Sequence, residues 1–474
     1  MTSPTRPKPP TRPSEATADE YRDALAALSS RGRFGVRLGL GRTRALLREL
    51  GDPQLAIRGA LVAGTNGKGS VLALAGSALR AAGLRVGETP KPHLVSYRER
   101  IAVDGRPISP SDFTRHVNAV LAVADRVARR HGEPTEFELL TAVVFRHFAE
   151  ADLDVALVEV GLGGRLDATH AWDGGVAVVT NVALDHMDRL GSTIEAIARE
   201  KAAIIERGDL AVTGAEGAAL EIVRRRARRV GAPLTVVAPA PLHRWDRDGI
   251  EVELPGLGPT RVRLRGRHQA ANVAVADALL DALARAGIAT VDPVARRAGY
   301  ARVQWPGRLE LIDRDDREIL LDGAHNPAGA AALAAALDDL RPFLAPGPIG
   351  LVTAAMGDKD VDGLIRALLG SAAFDGATVV ATSVDLARAM PAGDLAARWR
   401  AVARPSGPAG RSGAARSTAG SGPASIIAEP DPLTALRRAQ EIPGPTVVAG
   451  SLYLVGAVRA HLVDDPDLRE PEVR

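Results

Sequence analysis

The sequence predicts an α/β chain in which a parallel sheet carries a phosphate-binding loop and a smaller C-terminal α/β unit follows. Short, nearly continuous apolar runs alternate with Ala-, Leu- and Arg-rich helical stretches. Strands that are apolar throughout are buried on both faces, as in parallel sheets covered by helices. Several runs end in glycine, an acid or asparagine, where α/β sheets keep their ligand sites. The third observation is the run Ala63-Gly64-Thr65-Asn66-Gly67-Lys68-Gly69-Ser70, placed between a buried strand and the helical stretch 71–82.

In chain order, strands are expected at 60–63, 155–160, 176–179, 319–321, 349–352, 379–380 and 447–448. Residues 1–17 are Pro-rich and polar and read as a disordered tail. The stretch 404–424, built mostly of Gly, Ser, Ala, Pro and Arg, reads as a flexible surface insertion. Pro and Gly within Gln304-Trp305-Pro306-Gly307-Arg308 separate the two α/β series, so the expected units are 18–303 and 304–474.

Composition narrows the class. A chain of 474 residues suggests two or three domains at about 150 residues each. Aromatics are only 3%, so Ala, Val, Leu and Ile must fill the core. The absence of cysteine excludes disulfides, thiolate zinc sites and a cysteine nucleophile. No apolar run approaches the ~18 residues of a membrane span, and residues 1–13 lack the apolar stretch of a signal peptide. A soluble, cytoplasmic protein is expected. Sixty basic against 57 acidic residues leave a net charge of +3. The cluster Arg224, Arg225, Arg226, Arg228 and Arg229 has no interleaved aromatics for base stacking and reads as a solvated helix face, so no nucleic acid is expected.

The glycines of the 63–70 run let backbone N–H groups converge on phosphate oxygens at a helix N-terminus. Lys68 would reach the β/γ-phosphates, and the Ser70 hydroxyl would sit by magnesium. Glu159 ends the strand before Gly161-Leu162-Gly163-Gly164-Arg165. A carboxylate there is costly to bury unless paired or metal-bound, which leaves magnesium or a salt bridge to Arg165. Asp185 and His186 end the next strand, and His186 reads as a metal ligand or as the partner of Asp185. In the following helix, Ser192 and Glu195 read as a capping box. Lys201 falls on the apolar stripe with Ile194 and Ile197. A buried ammonium needs a salt bridge to Glu159 or Asp185, a phosphate, or chemical modification. In the second unit, Asp322 ends a strand where an acid accepts a ribose hydroxyl. His325 in Gly323-Ala324-His325-Asn326-Pro327 could donate to a phosphate, and both residues could equally cap the strand end.

Together these motifs resemble the folylpolyglutamate synthase/dihydrofolate synthase family, relatives of the Mur ligases, from about Phe34 to Gly456. The resemblance rests on Arg37-Leu38-Gly39-Leu40-Gly41, the 63–70 loop, Pro92-His93-Leu94-Val95-Ser96-Tyr97-Arg98-Glu99-Arg100 and Thr135-Glu136-Phe137-Glu138. It continues through Glu159 to Thr169, Leu184-Asp185-His186, Arg199-Glu200-Lys201-Ala202, Arg267-His268-Gln269, Pro306-Gly307-Arg308, His325-Asn326-Pro327 and Gly450-Ser451-Leu452-Tyr453. It implies a Mur-ligase-like fold and ATP-dependent ligation of L-glutamate to a folate or to dihydropteroate through an acyl phosphate. ATP and Mg2+ are the implied cofactors, and the implied oligomeric state is a monomer.

By the same resemblance, Thr65, Asn66, Gly67, Lys68, Gly69, Ser70, Gln269, Asn272, Arg308 and Asp322 fall where ATP is held. Glu159 and His186 match magnesium ligands, and Lys201 matches a lysine carried as a carbamate. Residues Thr135, Glu136, Phe137, Glu138, Leu166, Asp167 and Ala168 match the pterin-carboxylate pocket, with Arg37 and Leu38 on the substrate side. Two positions depart from the family. Lys91 stands where a metal-binding serine is usual, and its ammonium is expected to neutralise the γ-phosphate in a site with one metal fewer. Arg37 stands where dihydrofolate synthases often carry an acid, which ranks a reduced folate above dihydropteroate. A Mur-type ligase acting on a UDP-muramyl peptide and a non-catalytic ATP- or folate-binding relative are the competing readings.

Overall fold

The computed structural model describes residues 17–31, 38–404 and 422–470. The expected tail apart from Thr17, Arg37, and most of the expected insertion (405–421) lie outside the described residues. The strands are β1 (Gly59–Ala63), β2 (Val86–Thr89), β3 (Ala102–Val103), β4 (Arg106–Pro107), β5 (Val155–Glu159), β6 (Gly175–Val179), β7 (Leu210–Thr213) and β8 (Leu234–Val236). They form one sheet in the order β4-β3-β2-β5-β1-β6-β7-β8, parallel from β2 to β8. A three-stranded antiparallel sheet follows, of β9 (Leu242–Asp246), β10 (Gly249–Leu254) and β11 (Gly258–Val262).

The second α/β series holds β12 (Glu310–Arg314), β13 (Arg317–Leu321), β14 (Gly350–Thr353), β15 (Thr378–Ala381), β16 (Ser425–Ala428) and β17 (Thr446–Ala449). Its order is β12-β13-β17-β14-β15-β16, parallel except for the β12–β13 edge hairpin. The chain passes from one series to the other between the helix Pro293–Arg302 and β12.

Both main sheets are covered on two faces, as their uniformly apolar strands require. Along β1, Leu61 and Ala63 join one core cluster, while Ala60 and Val62 join the other. Along β13 and β14, Leu320 and Leu351 face one cluster, while Ile319, Leu321 and Val352 face its opposite. The scarcity of aromatics is met by close helix packing. A Cβ at Gly299 would stand 2.4 Å from the Ala78 Cα, so the helix Pro293–Arg302 lies directly on the helix Lys68–Ala81.

Register sets the site. Val62 pairs with Glu159, Ala63 with Val179, and Val158 with Thr89, so β1, β2, β5 and β6 end at one edge. In the second sheet Leu321, Val448 and Val352 are level, and Thr353 pairs with Ala381 and Ala449. The loops leaving these two C-terminal edges meet across a cleft.

The structure corrects the expected helix cap at 192. The helix is Ile194–Ala202 and its cap is Thr193, whose hydroxyl accepts from Ala196 N–H at 3.2 Å. The helix starts one residue later than the Ser192 box requires, and Ile204 and Ile205 lie beyond its end. The arginine cluster lies on the helix Gly217–Val230, where Arg224, Arg225, Arg228 and Arg229 are exposed. Arg226 turns inward and donates to the Ile205 and Ala203 carbonyls at 2.8 and 3.2 Å.

Candidate functional site: a cleft between two sheet edges

The loop after β1 turns through Gly67, whose φ of +80° lies in the left-handed region. A Cβ there would meet Asn272 Oδ1 at 2.2 Å. The loop is stapled to the segment after β6. Asn66 N–H donates to Asn181 Oδ1 (2.9 Å), Thr65 Oγ1 donates to the Ala183 carbonyl (3.1 Å) and Thr180 Oγ1 to the Asn66 carbonyl (2.7 Å). Lys68 opens the helix Lys68–Ala81, so the loop delivers the chain to a helix N-terminus whose first N–H groups have no partner within the helix. Its ammonium folds back onto the Gly64 and Thr65 carbonyls (3.1 and 3.2 Å) and stands 3.8 Å from Glu159 Oε1.

Glu159 is buried at the end of β5, and burial pushes its carboxyl pKa up against the pull of Lys68 and Lys91. Its Oε2 accepts from Lys91 N–H at 3.0 Å. The salt bridge to Arg165 does not form, because Arg165 pairs with Glu200 at 2.9 Å. Lys91 turns inward, donating its ammonium to the Glu159 carbonyl and lying 5.2 Å from the centroid of the Phe137 ring. Burial lowers its pKa to about 8.

Lys201 is 5% exposed, and its Nζ donates to the Gly64 carbonyl at 2.8 Å. Neither Glu159 nor Asp185 pairs with it. Burial, aided by Lys68, lowers its pKa to about 7, so its amine is partly neutral at physiological pH. Asp185 is engaged elsewhere: Lys359 Nζ donates to Oδ1 (2.7 Å) and Asn326 Nδ2 to Oδ2 (2.9 Å). Burial alone would raise its pKa, but Lys359 holds it well below the usual carboxylate range. His186 has a left-handed backbone, φ +50°, and its N–H donates to Asp185 Oδ1 at 2.8 Å. Its Nε2 lies 3.4 Å from Lys359 Nζ, and burial followed by that charge lowers its pKa.

The facing wall begins at Thr135, which caps the helix Glu136–Glu150. Glu138 closes the capping box with Thr135 N–H and Oγ1 (2.8 and 3.1 Å) and pairs with Arg42 at 2.9 Å. Glu136 accepts from Tyr97 OH at 2.7 Å. Asp167 is buried and holds a turn, accepting from Leu162 N–H (2.8 Å), Thr169 N–H (3.0 Å) and Thr169 Oγ1 (2.6 Å).

From the second sheet, Asp322 accepts from Leu309 and Ala324 N–H at 2.9 and 2.8 Å. His325 Nδ1 bonds the Gly323 carbonyl at 2.8 Å, and burial lowers its pKa to about 4, so it is neutral at pH 7. Arg308 packs on Gly323.

A cleft of about 630 Å³ opens among these groups. Leu38, Thr65, Lys68, residues 135–138, Glu159, 166–168, His186, Lys201 and His325 line it, as the sequence reading groups them. Asn66, Gly67, Gly69, Ser70, Gln269, Asn272, Arg308 and Asp322 do not line this cleft. Asn272 instead presses on the far side of Gly67, and Gln269 Oε1 accepts from its amide at 2.8 Å. The sequence reading missed Lys359, Arg388 and Arg100 as lining residues. Lys359 was findable, since Met356-Gly357-Asp358-Lys359-Asp360 is a charged loop just beyond the C-terminal end of a parallel strand.

Sequence comparison adds the relationship. Residues 62–280 match the profile of the Mur ligase middle domain, and 308–461 match the dihydrofolate synthetase C-terminal domain. The chain is 37% identical over 358 residues to the dihydrofolate synthase/folylpolyglutamate synthase of Bacillus subtilis, covering 73% of this chain and 82% of that one. The folylpolyglutamate synthase of Mycobacterium tuberculosis, solved with ADP and AMPPCP, superposes with a TM-score of 0.81 at 32% identity, covering 94% and 99% of the two chains. The bifunctional Yersinia pestis enzyme, solved with AMPPNP and a Mn ion, gives 0.75 at 29% identity over 95% and 100%. The chain belongs to the folylpolyglutamate synthase/dihydrofolate synthase family, with the Mur-ligase-like two-domain α/β fold of that family.

Proposed function

We propose that this chain is an ATP-dependent ligase joining L-glutamate to the carboxylate of a folate, with dihydropteroate as a second acceptor. The observation that carries the reading is one cleft in which the helix-opening Lys68, the buried Glu159 and the 135–138 wall face each other. The folate-branch match of the C-terminal series sets aside the muramyl-peptide alternative.

A carboxylate does not condense with an amine in water, because its oxygen is a poor leaving group. The acceptor carboxylate attacks the γ-phosphorus, ADP departs, and the glutamate amine then displaces phosphate from the acyl carbon. Such transfers depend on positioning and neutralisation of charge. The 64–70 loop cradles the phosphates, and Asn272 buttresses it at Gly67. Lys68 swings from the Gly64 and Thr65 carbonyls to the β/γ-phosphates, and Arg308 neutralises charge from the second sheet. Gln269 and His325 complete the nucleotide side, where Asp322 holds the backbone at Leu309 and Ala324. Residues 135–138 and 166–168, with Leu38, seat the acceptor. Glu138 and Asp167 act there by holding backbone, since their oxygens are already engaged.

The donor set fits a divalent cation. Among the described residues no three His, Cys, Asp or Glu side chains cluster as a complete metal cage. Magnesium suits this, because it takes one or two carboxylates plus phosphate oxygens and water. Glu159, Ser70 and His186 would hold it, and a carbamate on Lys201 would add a second anionic donor beside Glu159. When bound, the ion neutralises phosphate charge. Arg37 lies outside the described residues, so the preference for a reduced folate rests on the sequence alone.

The test is ADP formation by purified protein with ATP, Mg2+ and glutamate, each acceptor supplied separately. Glutamate-dependent ADP with a folate supports the reading, and turnover of dihydropteroate alone reverses the acceptor ranking. No glutamate-dependent ADP with either acceptor refutes it.

A further inference from the structure

Lys91 has no part in the mechanism above, yet it is among the most tightly held charges in the cleft. It follows β2, whose end is level with Val158, next to Glu159. Its N–H is fixed by Glu159 Oε2 at 3.0 Å, and its ammonium by the Glu159 carbonyl. Pro90 and Pro92 restrict the backbone on either side. Among the described residues no carboxylate oxygen comes within ion-pair distance of its ammonium; the charges of Asp167 and Glu159 favour it from farther off, and Asp167 is committed to Leu162 and Thr169. An ammonium carries three donors, and one of them meets the Glu159 carbonyl. A buried cation in that state is completed by an anion brought by a ligand.

The position selects the anion. Lys68 and Lys201 both turn to carbonyls of the 64–65 turn, on the nucleotide side. Lys91 instead lies over the Phe137 ring, 5.2 Å from its centroid, between Glu159 and the acceptor wall. We propose that Lys91 binds the reacting carboxylate of the acceptor and keeps hold of it as the acyl phosphate forms. This rests on the ligase reading.

In the step concerned, a carboxylate oxygen forms a bond to the γ-phosphorus as the bond from phosphorus to the β–γ bridging oxygen breaks, and ADP leaves with that electron pair. Lys91 keeps its proton and offsets the repulsion between carboxylate and γ-phosphate. It holds the other carboxylate oxygen, which stays on the acyl carbon, when the glutamate amine attacks that carbon, loses a proton and expels phosphate.

The experiment compares equilibrium binding of the acceptor with binding of an analogue whose reacting carboxylate is a primary carboxamide, in parent, Lys91→Met and Lys91→Arg proteins. ADP binding and thermal unfolding are measured alongside. The parent should prefer acid to amide by tenfold or more, Lys91→Met should bind both alike, and Lys91→Arg should restore most of the preference. The KM for the acceptor should rise at least tenfold in Lys91→Met with ADP affinity unchanged. Lys91→Gln replaces Lys91→Met if the latter fails to fold. A neutral variant that still prefers the acid as the parent does overturns the assignment of Lys91 alone. A parent that makes no glutamate-dependent ADP overturns the ligase reading beneath it.

Discussion

Lys359 Nζ lies 2.7 Å from Asp185 Oδ1, joining the loop after β14 to the loop after β6 across the cleft. The two side chains are 11% and 10% exposed, and Asn326 satisfies the other carboxylate oxygen. The pair thus fixes the approach of the second sheet to the segment that carries His186. Lys359→Ala leaves Asp185 with a buried, half-partnered charge. We expect a loss of up to about 3 kcal/mol in denaturant unfolding, together with slower turnover. A variant as stable and as active as the parent would show that the two halves meet without this contact.

Lys201 is expected to carry a carbamate in the active protein. Its amine attacks CO2 only when unprotonated, and burial that lowers its pKa to about 7 supplies that form. Activity of CO2-depleted protein should return on adding CO2 and, at equal dissolved CO2, return faster at pH 8 than at pH 6.5. Lys201→Ala should lose more than about a hundredfold in rate, on the scale of removing a key electrostatic group, with partial rescue by a short carboxylic acid. An unmodified, activity-neutral Lys201 in bicarbonate-supplied protein contradicts this.

Gly67→Ala places a Cβ 2.2 Å from Asn272 Oδ1 at a φ of +80°. The strain, about 1–3 kcal/mol, falls on the loop that receives the phosphates. ADP affinity should drop at least tenfold in titration calorimetry, while acceptor binding changes little. Unaltered ADP binding would place the phosphates elsewhere.

Asp209 lies outside the cleft and gives a pH prediction for stability. It is buried beside Asp173, and burial followed by that neighbour raises its pKa to about 7. Between the unfolded value near ~3.9 and about 7, the folded chain holds more protons than the unfolded one. Stability from this group is therefore full below the unfolded value and falls as pH rises through the folded one. Asp209→Asn keeps an acceptor for Glu206 N–H, now 2.7 Å away, and removes the titration. Its melting temperature should gain on the parent between pH 5 and pH 8, and an equal change in both proteins would refute the assignment.

Much of this was legible in the sequence because burial on two faces leaves an unbroken apolar run, as in β1, β5 and β17. Lys201 was legible by the same logic, as a charge on an apolar stripe. The β9–β11 sheet was not identified, although Ile250, Val252 and Leu254 alternate with Glu251 and Glu253 in the two-residue period of a half-buried strand. Ion-pair partners were harder, because Lys359 meets Asp185 across 174 residues and only the folded chain brings them together. The roles of Glu138 and Asp167 as backbone holders were hidden for the same reason. An acid in a motif looks the same whether it faces a ligand or an N–H group.

The most direct test of the acyl-phosphate account is oxygen transfer. Acceptor labelled with 18O in its reacting carboxylate is incubated with the protein, ATP, Mg2+ and glutamate, and the inorganic phosphate is read by mass spectrometry. One labelled oxygen should appear in phosphate for each amide formed, because the carboxylate oxygen that attacks the γ-phosphorus leaves with it. Amide formed with no label in the phosphate would contradict the mechanism.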